Sequence, residues 1–123
     1  MRSPLGAIGA LLGFLAVALG AFGGHALSDY LSPERMQTWQ TAARYQIVHA
    51  VALIAIAAAL EHRTTRAIAA AGWLFVIGTV LFSGSLYVFV LTGMRLLGAI
   101  TPFGGAMLMT GWLCLAVGFA RRD

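Results

Sequence analysis

Four apolar runs, each long enough to cross a bilayer and joined by short polar connections, constrain this chain more than any other feature. The first is Leu5 to Gly24, and the others cover about residues 40–60, 67–91 and 102–120. The ~30 Å hydrocarbon core of a bilayer takes about 20 helical residues. Backbone groups in lipid must be paired within the protein, which favours helices for segments of this length. The expected fold is therefore all-α, an integral membrane four-helix bundle forming one domain over residues 1–123. Composition agrees: the chain is 60% hydrophobic and 10% charged, with mean hydropathy +0.87, whereas a soluble domain carries about a quarter charged residues. The net charge of +4 comes from eight Arg and no Lys. In a membrane protein such an excess signals topology, and no nucleic-acid partner is expected. Cys114 is the single cysteine, so an intrachain disulfide is excluded.

Arg2 and the small residues at Gly24-His25-Ala26 give the first run the outline of a secretory signal. Its apolar stretch exceeds the 7–15 residues of a signal core, so it reads as a span. Gly6, Gly9, Gly13, Ala16, Gly20 and Gly23 recur at 3-4-3-4-3 spacing, a seam of small residues that lets helix backbones approach. Packing within the bundle is the plain reading of that seam, and dimerisation the sharper alternative. Gly104, Met107, Gly111, Cys114 and Gly118 form a second such seam in the fourth run.

Ser32-Pro33-Glu34 predicts a helix start, with Ser at the N-cap, Pro at the first position and an acid near the positive end of the dipole. Nothing breaks the helix from Pro33 to Leu60, roughly 42 Å at 1.5 Å per residue. Its first two turns, with Gln37, Thr38 and Gln40, are expected to form an amphipathic interfacial extension anchored by Trp39. Gly93 predicts a left-handed cap after the third span. Thr101-Pro102 predicts the start of the fourth helix, as N-cap and first residue.

Four spans put both termini on one side, with Arg2, Arg63, Arg66, Arg121 and Arg122; Arg35, Arg95 and Arg44 belong to the other. Five against three predicts cytoplasmic termini. The outer half then gathers the polar residues of the spans. Tyr45 and His49 lie about 40° apart on their helix, with Gln46 about 60° further round, while Arg44 falls off that face. Thr79, Ser83 and Tyr87 make a polar stripe on the third helix. Ser85 joins them in the outer half, with His25 and Thr101 at the outer ends of spans one and four. Polar groups facing lipid are costly, so this set is expected to meet other helices or water. The candidate ligand-binding residues are His25, Tyr45, Gln46 and His49, together with Ser83, Ser85, Tyr87 and Thr101. The competing reading is a structural hydrogen-bond network between helices.

Gly20-Ala21-Phe22-Gly23-Gly24-His25-Ala26-Leu27, Tyr45-Gln46-x-x-His49-Ala50, Phe82-Ser83-Gly84-Ser85-Leu86-Tyr87 and Ile100-Thr101-Pro102-x-Gly104-Gly105 occur in that order. With these four motifs the chain resembles, over essentially its whole length, the small four-span membrane family called domain of unknown function 423. That family includes bacterial inner-membrane proteins and a eukaryotic transmembrane relative. Where it usually reads Gly-Ala-His, this chain has Gly23-Gly24-His25, a small-for-small change. The resemblance implies a four-span membrane protein and transfers no biochemical activity; its motif residues are the ones gathered in the outer half.

Three classes of function fit poorly. A proton-coupled exporter needs an acid within the membrane, but Asp29, Glu34, Glu61 and Asp123 all fall in connections or tails. Haem or metal binding would rest on His25 and His49, about 10 Å or more apart in depth, with no Cys or carboxylate to complete a set. An enzyme would lack an acidic orienter for its base. No cofactor or metal is expected. The reading is a membrane-embedded binding or accessory protein of the bacterial inner membrane, holding a small amphipathic ligand or lipid headgroup. Homo-oligomerisation, or docking on a larger complex through the glycine seams, is also considered; small-solute or ion-coupled transport is the alternative.

Overall fold

The computed structural model describes residues 3–63 and 65–121. Arg2, Arg122 and Asp123, used above in the charge argument, lie outside the described residues. Among the described residues four helices are each long and apolar enough to cross a membrane: α1 Leu5–Leu27, α2 Pro33–His62, α3 Arg66–Thr92 and α4 Leu97–Ala120. They pack in chain order, α1 on α2, α2 on α3 and α3 on α4, and α1 also reaches α3. The end carrying the 28–32 and 93–96 connections is called distal here, and the opposite end terminal.

Helix α2 begins as its sequence dictates. Ser32 is extended (φ −64°, ψ 159°), its hydroxyl accepts from the Arg35 N–H, and Pro33 occupies the first turn, where no N–H is needed. Thr65 caps α3 in the same way, accepting from Ile68 N–H at 3.1 Å. Gly93 ends α3 at φ 72°, a left-handed conformation that suits a residue without a Cβ.

Helix α4 does not begin at Thr101-Pro102. It starts at Leu97, and Pro102 lies inside it. The N–H groups of Leu97, Gly98 and Ala99 are taken by the carbonyls of Met94, Arg95 and Leu96, so the first turn closes without a side-chain cap. Pro102 deprives only the Gly98 carbonyl of its helical donor, and Gly98 is exposed at the distal end. The Thr101 hydroxyl donates instead to the Leu97 carbonyl at 3.1 Å.

Helix α1 is α-helical from Leu5 to Val17, widens into a π-helical stretch over Ala18–Gly23, and closes with Gly24–Leu27. A π stretch widens the regular carbonyl ladder, and here two side chains of α2 donate to its carbonyls. Trp39 Nε1–H donates to the Leu19 carbonyl at 2.6 Å and Gln40 Nε2–H to the Gly20 carbonyl at 3.2 Å. Trp39 is consequently no interfacial anchor: it is 3% exposed and packed against Gly23, where a Cβ would stand 2.9 Å from its ring.

The apolar core occupies the terminal half and the middle, built from Leu5, Leu53, Ile56, Ile68, Ala71 and Phe75. Leu5 fits over Gly72, where a Cβ would be 2.5 Å from the leucine methyl. Large exposed apolar residues such as Phe14, Phe22, Phe103 and Met109 lie on the outer faces of α1 and α4. Those faces meet lipid.

Glycines of both seams meet a neighbouring helix of the bundle. Gly9 and Gly20 meet Leu53 and Ala43 of α2, and Gly13 faces Ala50 and Ile47. Gly104 and Gly111 meet Phe82 and Phe75 of α3. These contacts give the seams a packing role within the bundle, the plain reading of their spacing.

Candidate functional site

The polar residues of the distal half do come together, as pairs that each tie two helices. Gln46, 4% exposed, bridges three of them. Its Nε2–H donates to the Leu12 carbonyl of α1 at 2.9 Å, and its Oε1 accepts from the Tyr87 hydroxyl of α3 at 2.7 Å. The Tyr87 ring in turn meets the edge of Trp39, with centroids 4.7 Å apart. Ser83 donates to the Ala42 carbonyl at 2.7 Å, a buried tie between α3 and α2. Ser85 and Thr101 share a 2.6 Å hydrogen bond that joins α3 to α4.

His49 is held at both ring nitrogens. Nδ1 stands 2.7 Å from the Tyr45 carbonyl, and Trp112 Nε1–H donates to Nε2 at 3.0 Å. An indole N–H can only donate, so Nε2 is the acceptor and the proton sits on Nδ1, donating to the carbonyl. This is a neutral imidazole with its lone pair already used. It also packs edge-on against Phe75, with centroids 5.0 Å apart. A metal ion or a transported proton arriving at Nε2 would have to displace Trp112.

Two of the expected members stand apart. His25 is exposed near the distal end of α1, outside these pairs. Tyr45 is 44% exposed; its ring lies on Phe82 at 4.7 Å and only its carbonyl enters the network. Thr79 is 2% exposed and its hydroxyl lacks a partner. Among the described residues, no three His, Cys, Asp or Glu side chains gather where a metal ion could be held.

Trp39, Gln40 and Trp112 were missed as network members. A signal existed for the tryptophans, since an indole N–H in an apolar environment needs an acceptor. The acceptors, two main-chain carbonyls and a histidine, are invisible to pattern reading.

What remains open is elsewhere. Between α1 and α2 in the distal half runs a groove of about 330 Å³, floored by Ala16, Gly20 and Ala43 and edged by Val17, Ala21 and Ile47. Gln40 and Arg44 supply its polar atoms. It exists because the seam residues carry too little side chain to fill the space beside the π stretch.

Four apolar helices whose internal polar groups bond one another define a multi-pass helical membrane protein. The model of the family described as "Protein of unknown function (DUF423)" matches residues 19–105, and the chain belongs to that family. It is 40% identical over 112 residues to the UPF0382 inner membrane protein YgdD of Escherichia coli K12, covering 91% of this chain and 86% of the relative. It is 42% identical over 114 residues to the UPF0382 membrane protein YwdK of Bacillus subtilis, covering 92% and 90%. A UPF0382 membrane protein of Staphylococcus epidermidis is 46% identical over 110 residues, covering 89% of each chain. No solved structure matches the chain.

Proposed function

We propose that the protein is a binding or accessory protein of the bacterial cytoplasmic membrane that takes an amphipathic ligand sideways from the bilayer. The observation that carries this reading is the contrast between a closed polar network and an open groove. His49 and Gln46 spend their polar atoms on bonds inside the bundle, while the α1–α2 groove faces outward with an arginine at its side. Transport and enzymatic readings would each need a buried ionisable or amide group to be free for a solute, and the engagement of His49 and Gln46 weighs against both. The inner-membrane name of the Escherichia coli relative supports the location. The arginines at the terminal end, Arg63, Arg66 and Arg121 among them, support cytoplasmic termini.

The test is native mass spectrometry of protein released gently from membranes, beside Ala21→Trp, which fills the groove from an exposed position. A membrane-derived amphiphile retained by the wild type and lost from the variant is the expected result. Bare protein in both cases, combined with solute flux in proteoliposomes, would move the reading to transport.

A further inference from the structure

We infer that the groove between α1 and α2 binds an anionic glycerophospholipid, with the phosphate on Arg44 and an acyl chain along the small-residue floor. This rests on the lateral-binding reading and names the class of its ligand.

The first argument is depth. Arg44 lies three residues, about 4.5 Å, beyond Thr41 on α2, where the polar interfacial turns give way to an apolar run. Helical side chains lean toward the N-terminus of their helix, and the N-terminus of α2 is at the distal end. The exposed Arg44 side chain therefore leans toward the headgroup layer, its stem along apolar surface and its guanidinium at the phosphate level.

The second argument is charge. The chain has four acidic residues, Asp29, Glu34, Glu61 and Asp123. Glu34 is ten residues from Arg44 on the same helix, about 15 Å by helix rise, and Glu61 seventeen residues away on the other side, about 25 Å. Asp29 precedes Pro33 in the distal connection, and Asp123 lies outside the described residues. Helix rise thus keeps both acids of α2 far from Arg44. A planar guanidinium bonds a phosphate through two parallel N–H groups. A zwitterionic headgroup would bring a second cation beside Arg44, with no acid to receive it.

The third argument is shape. From the level of Gly20 and Ala43 the floor runs toward Ala16, deeper in the membrane. Its walls, Val17 and Ile47, are apolar. A phosphate at Arg44 with hydrocarbon below it matches this order of polar and apolar lining.

The experiment uses full-length protein exchanged into mild detergent and offered equimolar phosphatidylglycerol and phosphatidylcholine of matched chains, read by native mass spectrometry. One arginine near the membrane surface predicts about a five-fold preference for phosphatidylglycerol. Arg44→Gln is expected to bring that ratio to about one while both lipids still bind, and Ala21→Trp to reduce both together. Both substitutions are at exposed positions, and circular dichroism checks that the helices persist. Equal retention of the two lipids by the wild type, or a ratio unchanged in Arg44→Gln, would overturn the phosphate assignment and leave the lateral site standing. Retention insensitive to Ala21→Trp would remove the groove, and the reading beneath it, altogether. Millimolar inorganic phosphate is expected to displace nothing; displacement would make this an ion site. A dimer abolished by Ala21→Trp would assign the groove to a second copy of the chain.

Discussion

The α3–α4 and α1–α2 interfaces solve one problem in different ways. Lipid offers no hydrophobic reason for helices to associate, so they are held by close packing and by polar bonds. Between α3 and α4 the backbones nearly touch: a Cβ on Gly104 would stand 2.4 Å from the Phe82 nitrogen, and one on Gly78 would stand 3.2 Å from the Gly104 carbonyl oxygen. Between α1 and α2 the approach is as close at Gly9, where a Cβ would stand 3.0 Å from the Ala50 carbonyl oxygen, but it loosens beyond that point, with 3.7 Å at Gly13 and 3.2 Å at Gly20. There the work passes to Trp39, Gln40 and Gln46, each donating to a carbonyl of α1. The looser interface keeps the groove. Small residues alone do not determine closeness; what the opposing helix offers decides whether the space closes or stays open.

The largest test of this contrast is Gly104→Leu. Backbone cannot give way to the new side chain, so a loss of about 3 kcal/mol is expected, read as a lowered midpoint in denaturing-detergent unfolding. An unchanged midpoint would mean that the close approach is dispensable. Gln46→Leu removes both bonds of the polar tie and orphans the Tyr87 hydroxyl, for an expected cost of about 1–2 kcal/mol. Adding Tyr87→Phe should recover part of that cost, and strict additivity would show that the two residues do not act together. Trp112→Phe is expected to cost only about 0.6 kcal/mol; the Tyr45 carbonyl still holds the proton on Nδ1, so nitrogen NMR of His49 should keep that tautomer and shift only the Nε2 resonance as it loses its donor. An unmoved Nε2 resonance would dismiss the Trp112 bond. Gly13→Ala is the smallest: its Cβ meets ordinary contacts, so a change within about 0.5 kcal/mol is expected. A large loss there would erase the distinction between the interfaces.

Much of the architecture is legible in the sequence because it is local. Ser32-Pro33 and Gly93 act within one turn of themselves, and the four spans follow from length and hydropathy. The glycine seams and the stripe of Thr79, Ser83 and Tyr87 follow from helical period. The failures share a cause: each depended on what faced the residue. Trp39 reads as a belt aromatic until the widened stretch of α1 presents it with a carbonyl. Thr101-Pro102 reads as a helix start until the turn at 94–99 closes one residue by residue upstream. Gln46 and His49 are placed on the right face, but periodicity does not say that their atoms are already engaged. Tyr45 shares the helix with them and still turns its ring largely outward. The groove follows from absence of side chain beside Arg44, which sequence records only as alanines and glycines.

Helix α2 is also tied at each end to a later helix. Near its start Arg35 donates to the Val90 carbonyl at 3.1 Å, and just past its end Arg63 donates to the Arg121 carbonyl, bonds that span 55 and 58 residues. The α1–α2 bonds span only 20, 20 and 34 residues. During synthesis these ties become available in a fixed order. As soon as α2 has entered the bilayer both partners of each of these three α1–α2 bonds are present, whereas the two arginines wait for α3 and then α4 to emerge. The groove belongs to the half that can finish first, so its walls stand before the second half of the protein has been made.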